Sequence, residues 1–387
     1  MKPEPIYLDH AATTPVRDEV FEAMRPFFGP KFGNPSSIHR WGREARAALD
    51  EARERVATCL GARPDEVCFT SGGTEGDNLA ILGVWRLARA SGRNAVVSTP
   101  IEHKAILGAV HHAAAEGAEE RMLEVDRTGV VTQSSFDERV RDDVAICSVM
   151  WVNNEIGTIQ QVPEFADKAK ARGVVFHTDA VQAFGKVRID AATQSFDLLS
   201  ISGHKICAPK GIGALFIRRG TKLEPLMHGG SQDRGRRPGT ENVAYAVGLA
   251  TAAELTVAEH EKESARLGAM RDRLENAILA AVPDAVIHGR GAERAPHVLN
   301  VSVPGTDSES MLMAMDLRGI AASGGSACQS GSVGHSHVLL AMGVSQDLAT
   351  AAIRMSLGCM TTDACIDRVS EVFPALVNKA RQFVTAS

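Results

Sequence analysis

The sequence predicts an α/β protein with a large domain on a mainly parallel sheet wrapped by helices and a smaller α/β domain after it. Three observations predict this. Short runs of buried-type residues alternate with stretches of helical periodicity, glycines stand where one pattern gives way to the other, and 387 residues are too many for one ordinary domain.

The elements follow in chain order. Between Arg43 and Leu60, apolar residues at Ala45, Ala48, Leu49, Ala52, Val56 and Leu60 keep the spacing of an amphipathic helix, and Gly61 is placed to cap it. Val67–Thr70 then reads as a strand that empties into SGGTEGDN, after which helical spacing through Leu79, Leu82 and Leu87 runs to Gly92. That unit recurs. A strand over 95–99 precedes a helix ending at Gly117, a strand over 144–152 precedes one ending near Gly173, and further buried strands are expected over 174–178, 198–202 and 214–218. Helical periodicity spans about 242–282, like a connector between lobes. Beyond it come a strand at 298–303, a helix from Ser308, the segment SGGSACQSGS, a strand near 353–356 and a closing helix from Thr362.

Composition narrows the function. The chain is 44% hydrophobic and 23% charged, the balance of a globular protein. Its most apolar runs are shorter than a bilayer crossing, and no signal-peptide core opens it, so a cytoplasmic protein off the membrane is expected. A net charge of −5 and only 5% aromatic residues argue against a nucleic-acid partner. Seven cysteines, an odd set without a C-x-x-C pair, argue against a disulfide framework or a structural zinc site. A small-molecule substrate is the expectation.

Three strand ends carry candidate chemistry. In TSGGTEG (70–76) the glycines let backbone approach an anion, and the next helix directs unpaired N–H groups at it. Such turns also serve as plain connectors. HTDAVQ (177–182) places Asp179 and Gln182 at the carboxyl edge of a parallel sheet, where ligands bind, although Asp179 would equally suit a helix cap. SGHK (202–205) puts Lys205 at a third strand end, as either a solvated side chain or a Schiff-base amine. Together they offer an anion site, a carboxylate and an amine, the set that pyridoxal 5'-phosphate needs for its phosphate, ring nitrogen and aldehyde. The seventh cysteine also stands apart. Cys328 lies among Gly324, Gly325, Ser326, Ser330, Gly331 and Ser332, a stretch too polar for a core, whereas Cys59, Cys68, Cys147, Cys207, Cys359 and Cys365 are expected to be small buried hydrophobes.

TSGGTEGDN, IEHKAI, VNNEIGT, HTDAVQ, SGHK, RGRRPGTEN and GSACQSGS, in this order, resemble the motif set of the NifS/IscS cysteine desulfurases, which are class V aminotransferase-like, fold-type I pyridoxal-phosphate enzymes. The resemblance runs from LDHAATT at Leu8 to about Arg354. It implies a large cofactor-binding domain over 16–258 with a mainly parallel seven-stranded sheet. Residues 1–15 and 259–387 would form a small domain carrying the cysteine loop. The activity implied is removal of sulfur from L-cysteine, leaving L-alanine and a Cys328 persulfide that passes to an acceptor or Fe–S scaffold protein.

The resemblance also assigns roles. Lys205 would bind the cofactor aldehyde and later move protons, and Asp179 would hold the ring nitrogen protonated. Gln182 and Asn154 would touch the ring oxygen or the substrate amine. His103 would lie over the ring as an acid–base group. Gly73, Thr74, Ser202 and His204 would take the phosphate, joined by Thr240 from a neighbouring subunit, which implies a homodimer. Arg354 would pair with the substrate carboxylate, helped by Asn34, although a structural salt bridge competes for that arginine. No resident metal is implied, and Cys328 would touch at most a nascent Fe–S cluster. A selenocysteine lyase or transaminase on the same scaffold, and a non-catalytic sulfur carrier, remain as rival readings.

Overall fold

The computed structural model describes residues 4–324 and 335–384. Thirteen strands occur among them: β1 (Ile6–Tyr7), β2 (Val67–Thr70), β3 (Ala95–Ser98), β4 (Glu119–Met122), β5 (Val144–Ser148), β6 (Val175–Asp179), β7 (Leu198–Ser202), β8 (Gly213–Ile217), β9 (Val286–Ile287), β10 (Val298–Ser302), β11 (Ile320–Ala321), β12 (Ser323–Gly324) and β13 (Ala352–Ser356).

Seven of them form the main sheet, in the order β2-β8-β7-β6-β5-β3-β4. The pairings from β7 through β4 are parallel, whereas β8 is antiparallel to both its neighbours, β7 and β2. The direction of β8 has a simple cause. Only residues 203–212 separate it from β7, too short a link for the crossover that a parallel return requires. Because β8 opposes both neighbours, β2 and β7 point the same way. The carboxyl ends of β2, β3, β5, β6 and β7 therefore share one edge of the sheet.

The strands β5, β7 and β8 are buried throughout, as strands covered on both faces should be. Their apolar side chains join those of the flanking helices in two core clusters, one around Phe69, Phe136, Phe176 and Phe216 and the other around Trp85, Val96, Ile146 and Leu215. The helix Arg40–Leu60 packs its buried stripe (Ala45, Leu49, Ala52, Val56) on the first cluster and stops at Gly61, whose φ of 65° is the left-handed value expected of a helix-ending glycine. The edge strand β4 is absent from the sequence reading. Its EERM composition is charged and half exposed, so nothing in its pattern resembles the buried strands.

A second sheet, ordered β12-β13-β10-β9, is antiparallel. It packs with the helices Ser308–Asp316 and Asp363–Val384 around Met311, Met355, Ile366 and Phe373. The N-terminal strand β1 pairs in parallel with β11, and Ile6 and Leu8 enter this same core. One helix, Val243–Ala281, reaches both cores. Its first turns bury Val243, Ala246, Leu249 and Ala253 against the main sheet, and its last turns bury Leu267, Met270, Leu274 and Ile278 beside the second. No helix among the described residues is long and apolar enough to cross a membrane.

Candidate active site

The shared strand edge gathers the predicted residues. After β2 the chain turns through Gly72 into the helix Gly73–Ala88, so the N–H groups of Gly73 and Thr74 open a 16-residue helix. Close packing makes the glycine necessary, since a Cβ on Gly73 would stand 2.7 Å from a Val181 methyl. Beneath this turn lies Gly213, the first residue of β8, where any Cβ would strike the Ile201 carbonyl at 2.5 Å and the Gly72 backbone at 2.8 Å. Two bare backbones are thus required for the turn to sit flat on the sheet edge.

After β3, His103 caps the helix Lys104–Ala115, its Nδ1 accepting from the Ala105 N–H at 3.2 Å. A neutral ring in that arrangement carries its proton on Nε2. After β5, Asn153 fastens the next turn by accepting from the Glu155 and Ile156 N–H groups, which places Asn154 and Glu155 at the edge. After β6, Asp179 accepts from the Val181 N–H at 2.8 Å, and Gln182 donates to the Ala11 carbonyl. After β7, Ser202 leads into a tight turn bearing His204 and Lys205. Lys205 Nζ donates to the Ala11 and Ala12 carbonyls at 2.6 and 2.8 Å, so the N-terminal LDHAATT segment supplies part of the wall.

These side chains line one cavity of about 400 Å³. It includes Gly73, Thr74, His103, Asn154, Asp179, Gln182, Ser202, His204, Lys205 and Arg354. Arg354, on β13, donates to Asp9 at 2.8 Å and to the Asn154 carbonyl at 3.0 Å. The rival structural use foreseen for this arginine is therefore real, and it coexists with a place in the cavity wall. The helix cap foreseen for Asp179 is not what forms: residues 181–183 are turns, and its carboxylate instead closes this turn on the Val181 N–H.

Asn34 and Thr240 are not brought to this cavity within the chain: both are exposed, and Asn34 accepts from the Ser36 N–H instead. Cys328 and its neighbours lie outside the described residues. Among the other cysteines one expectation is corrected. Cys359 is exposed, because it follows β13 on a surface turn at Gly358, where the buried strand has already ended. Cys59 and Cys365 are half-buried, and the remaining three are buried.

Four lining groups were not singled out from sequence. They are Asp77, Glu155, Lys104 and His337. Asp77 and Glu155 stand within quoted motifs, TEGDN and VNNEIGT, but their immediate neighbours are mostly polar or glycine, so no local pattern marks either carboxylate as buried. Burial pushes the Asp77 carboxyl well above the usual range, and the neighbouring Asp179 charge adds to the effect. Glu155 is pushed up to about 7 by burial, against the opposing bond from Ser336. Asp179 is also raised by burial, but His103 and Lys205 draw it back down. Below the floor, His177 sits between Ser148 and Ser200 at 2.9 and 3.0 Å and is depressed by burial to about 3, so it stays neutral.

This set fits pyridoxal 5'-phosphate: backbone N–H groups at a helix start for an anion, a buried carboxylate at the sheet edge for a ring nitrogen, and a lysine amine beside them. The chain also resembles known proteins over almost its whole length. Residues 6–369 match the model of the family described as aminotransferase class-V. A cysteine desulfurase IscS of Dictyoglomus turgidum is 45% identical over 97% of this chain and 95% of its own. The cysteine desulfurase NifS of Azotobacter vinelandii is 45% identical over 97% of this chain and 93% of its own. A solved structure described as a NifS-like protein superposes with a TM-score of 0.89 at 34% identity, covering 99% of this chain and all of that one. With that match, and with a lysine, a carboxylate and a phosphate-type turn on one sheet edge, the chain belongs to the aminotransferase class-V family, among the cysteine desulfurases of the NifS/IscS kind.

Proposed function

We propose that the chain is a pyridoxal-phosphate-dependent cysteine desulfurase that takes sulfur from L-cysteine, releases L-alanine and carries the sulfur on Cys328. The observation that supports it most is the single cavity uniting Lys205, Asp179, His103 and Arg354 in a chain whose relatives bear that name. When bound, the cofactor supplies an electron-withdrawing ring that lets a proton leave the substrate Cα.

The chain's own residues do the rest. Gly73 and Thr74 N–H groups, with Ser202 and His204, hold the phosphate. Asp179 keeps a proton on the ring nitrogen. Its buried setting beside Lys205 favours a carboxylate that shares such a proton tightly. Lys205 would hold the aldehyde and, as a free amine, move the proton; in its free state the Ala11 and Ala12 carbonyls accept from its Nζ and keep it at the site. Burial and the neighbouring lysines depress His204 to about 4, so its ring stands neutral among those cations. Arg354, fixed by Asp9, orients the substrate carboxylate, while Asn154 and Gln182 meet the substrate amine or ring oxygen. His103 serves as the acid–base group over the ring.

Assembly into a homodimer is part of the reading. Phe28, Phe32, Ile38 and Trp41 are large apolar residues left on the surface around Asn34, with Ile38 90% exposed, and Thr240 is exposed as a residue serving a neighbour must be. Residues 16–258 would form the cofactor domain, and 1–15 with 259–387 the smaller one, in keeping with the pairing of β1 to β11. The protein would work in the cytoplasm and hand sulfur to an acceptor or Fe–S scaffold protein.

Cys328→Ala tests the proposal. The variant should bind the cofactor with unchanged visible absorbance while cysteine-dependent sulfide and alanine formation collapse together. Undiminished alanine formation would remove Cys328 from the reaction.

A further inference from the structure

Two cysteines that the desulfurase reading leaves idle meet at the edge of the site. Cys207 Sγ lies 3.7 Å from Cys359 Sγ, within sulfur hydrogen-bond distance, although 152 residues separate them. Cys207 is the second residue after Lys205, and Cys359 follows the strand that carries Arg354. The Lys205 turn and the Arg354 strand therefore touch through two sulfur atoms.

The surroundings distinguish this pair from the core cysteines. Cys147 is sealed among apolar side chains, Cys68 touches the Asp233 carboxylate beyond its apolar cluster, and burial pushes both thiols up. Cys207 is buried but polar in its contacts. Its N–H donates to Thr14 Oγ1 at 2.8 Å, its carbonyl accepts from the Arg17 N–H at 3.1 Å, and its backbone is held at a φ of 64°, a left-handed value unusual for a side-chain-bearing residue. The bond from Cys359, the Thr14 hydroxyl and the Arg17 guanidinium all favour a thiolate on Cys207, and Cys359 correspondingly keeps its proton. A narrow cavity of about 60 Å³ adjoins both sulfurs, and Cys359 is open to solvent.

We propose that Cys207 and Cys359 form a dithiol site that reacts with low-molecular-weight disulfides and closes reversibly into a disulfide, fastening the Lys205 turn to the end of the Arg354 strand. With glutathione disulfide as the reactant, the exposed Cys359 sulfur attacks while its proton passes to Cys207. The glutathione S–S bond breaks, and the first glutathione leaves as thiolate. Cys207 then releases that proton to it, and the restored Cys207 thiolate attacks Cys359 Sγ. The mixed disulfide breaks and the second glutathione leaves as thiolate. Two protein sulfurs are oxidised, two glutathione sulfurs are reduced, and the single proton ends on a glutathione. The sulfurs must close from 3.7 Å to about 2.05 Å, a movement within the reach of side-chain rotation.

The test uses the cofactor-loaded enzyme equilibrated with glutathione disulfide, alkylated, and digested without reduction. Mass spectrometry should find a Cys207–Cys359 cross-linked peptide that dithiothreitol removes. Cys207→Ser and Cys359→Ser should each abolish it, Cys207→Ser leaving Cys359 as a stable glutathione adduct. The oxidised wild type should melt at least about 3 °C above its reduced form, as expected of a cross-link that closes a long loop, and neither variant should show that gain. Cys359 lies on the surface, so its variant keeps the test open should Cys207→Ser fail to fold. A wild-type Cys359 that stays glutathionylated with Cys207 still alkylatable, or one that links to another cysteine, overturns the proposal.

Discussion

Asp77 and Asp179 face each other beneath the cavity, each offering a carboxylate oxygen within 4.8 Å of the other and of a His103 ring nitrogen. Two carboxyls this close and this buried do not both ionise cheaply. His103 and Lys205 support the charge on Asp179, while nothing comparable supports Asp77, so Asp77 keeps a proton.

Asp77→Asn should therefore be tolerated, since an amide has nearly the shape of the protonated acid. The sign of the pH effect follows from the raised value. An unfolded chain ionises Asp77 above about pH 4 whereas the folded one does not, so wild-type stability drains away as pH rises through that window. The melting temperature of Asp77→Asn should gain on wild type between about pH 5 and pH 8. A constant difference across that range would show that Asp77 ionises normally.

Lys205→Ala should lose the covalent tether to the cofactor aldehyde and the amine that moves protons. Turnover should fall at least about 100-fold, the lower end of what a placed acid–base group contributes. Spectra of the loaded protein provide the check: absorbance that stays at the wild-type position would require a different lysine, such as Lys210.

Arg354→Lys replaces a planar fork by a point charge where Asp9 and the Asn154 carbonyl already define the geometry. The KM for L-cysteine should rise about 10-fold or more, equivalent to a charged hydrogen bond worth about 1.5–3 kcal/mol. The kcat should change less. A kcat effect alone, with KM unmoved, would assign Arg354 to structure and not to substrate.

Ser336→Ala removes both a helix cap and the hydroxyl that donates to buried Glu155 at 2.5 Å. The cap is worth about 0.5–2 kcal/mol by itself. Glu155, raised to about 7, costs the fold stability as pH climbs from its unfolded value toward 7, and the Ser336 bond offsets part of that cost. Losing that bond raises Glu155 further, so the stability deficit of the variant should grow as pH rises above about 7 in chemical denaturation. A deficit independent of pH would confine Ser336 to capping.

Much of this site is legible in the sequence because each part stands at a strand end. VCFT, LLSIS and the run before HTDAVQ are apolar enough to be read as buried strands, and the polar residues that follow must emerge at the sheet edge. What the pattern hides is what depends on partners distant in the chain. The antiparallel course of β8 is a matter of connection length and not of composition. Asp77 looks like a surface acid of a helix until Ser200 and Asp179 close over it. Glu155 acquires its character from Ser336, 181 residues away. Cys359 resembles any core cysteine until its strand is seen to end one turn earlier. Asn34 and Thr240 stand away from the cavity of their own chain, which no local pattern announces.

The Val243–Ala281 helix carries a mechanical implication. At 39 residues it is a rod of about 58 Å whose two ends are buried in different cores. Lys205 belongs to the structure at one end and Arg354 to that at the other. The separation of Lys205 from Arg354 is thus backed by one continuous strut joining the two cores, so the two sides of the cavity keep their spacing without relying on the loops between them.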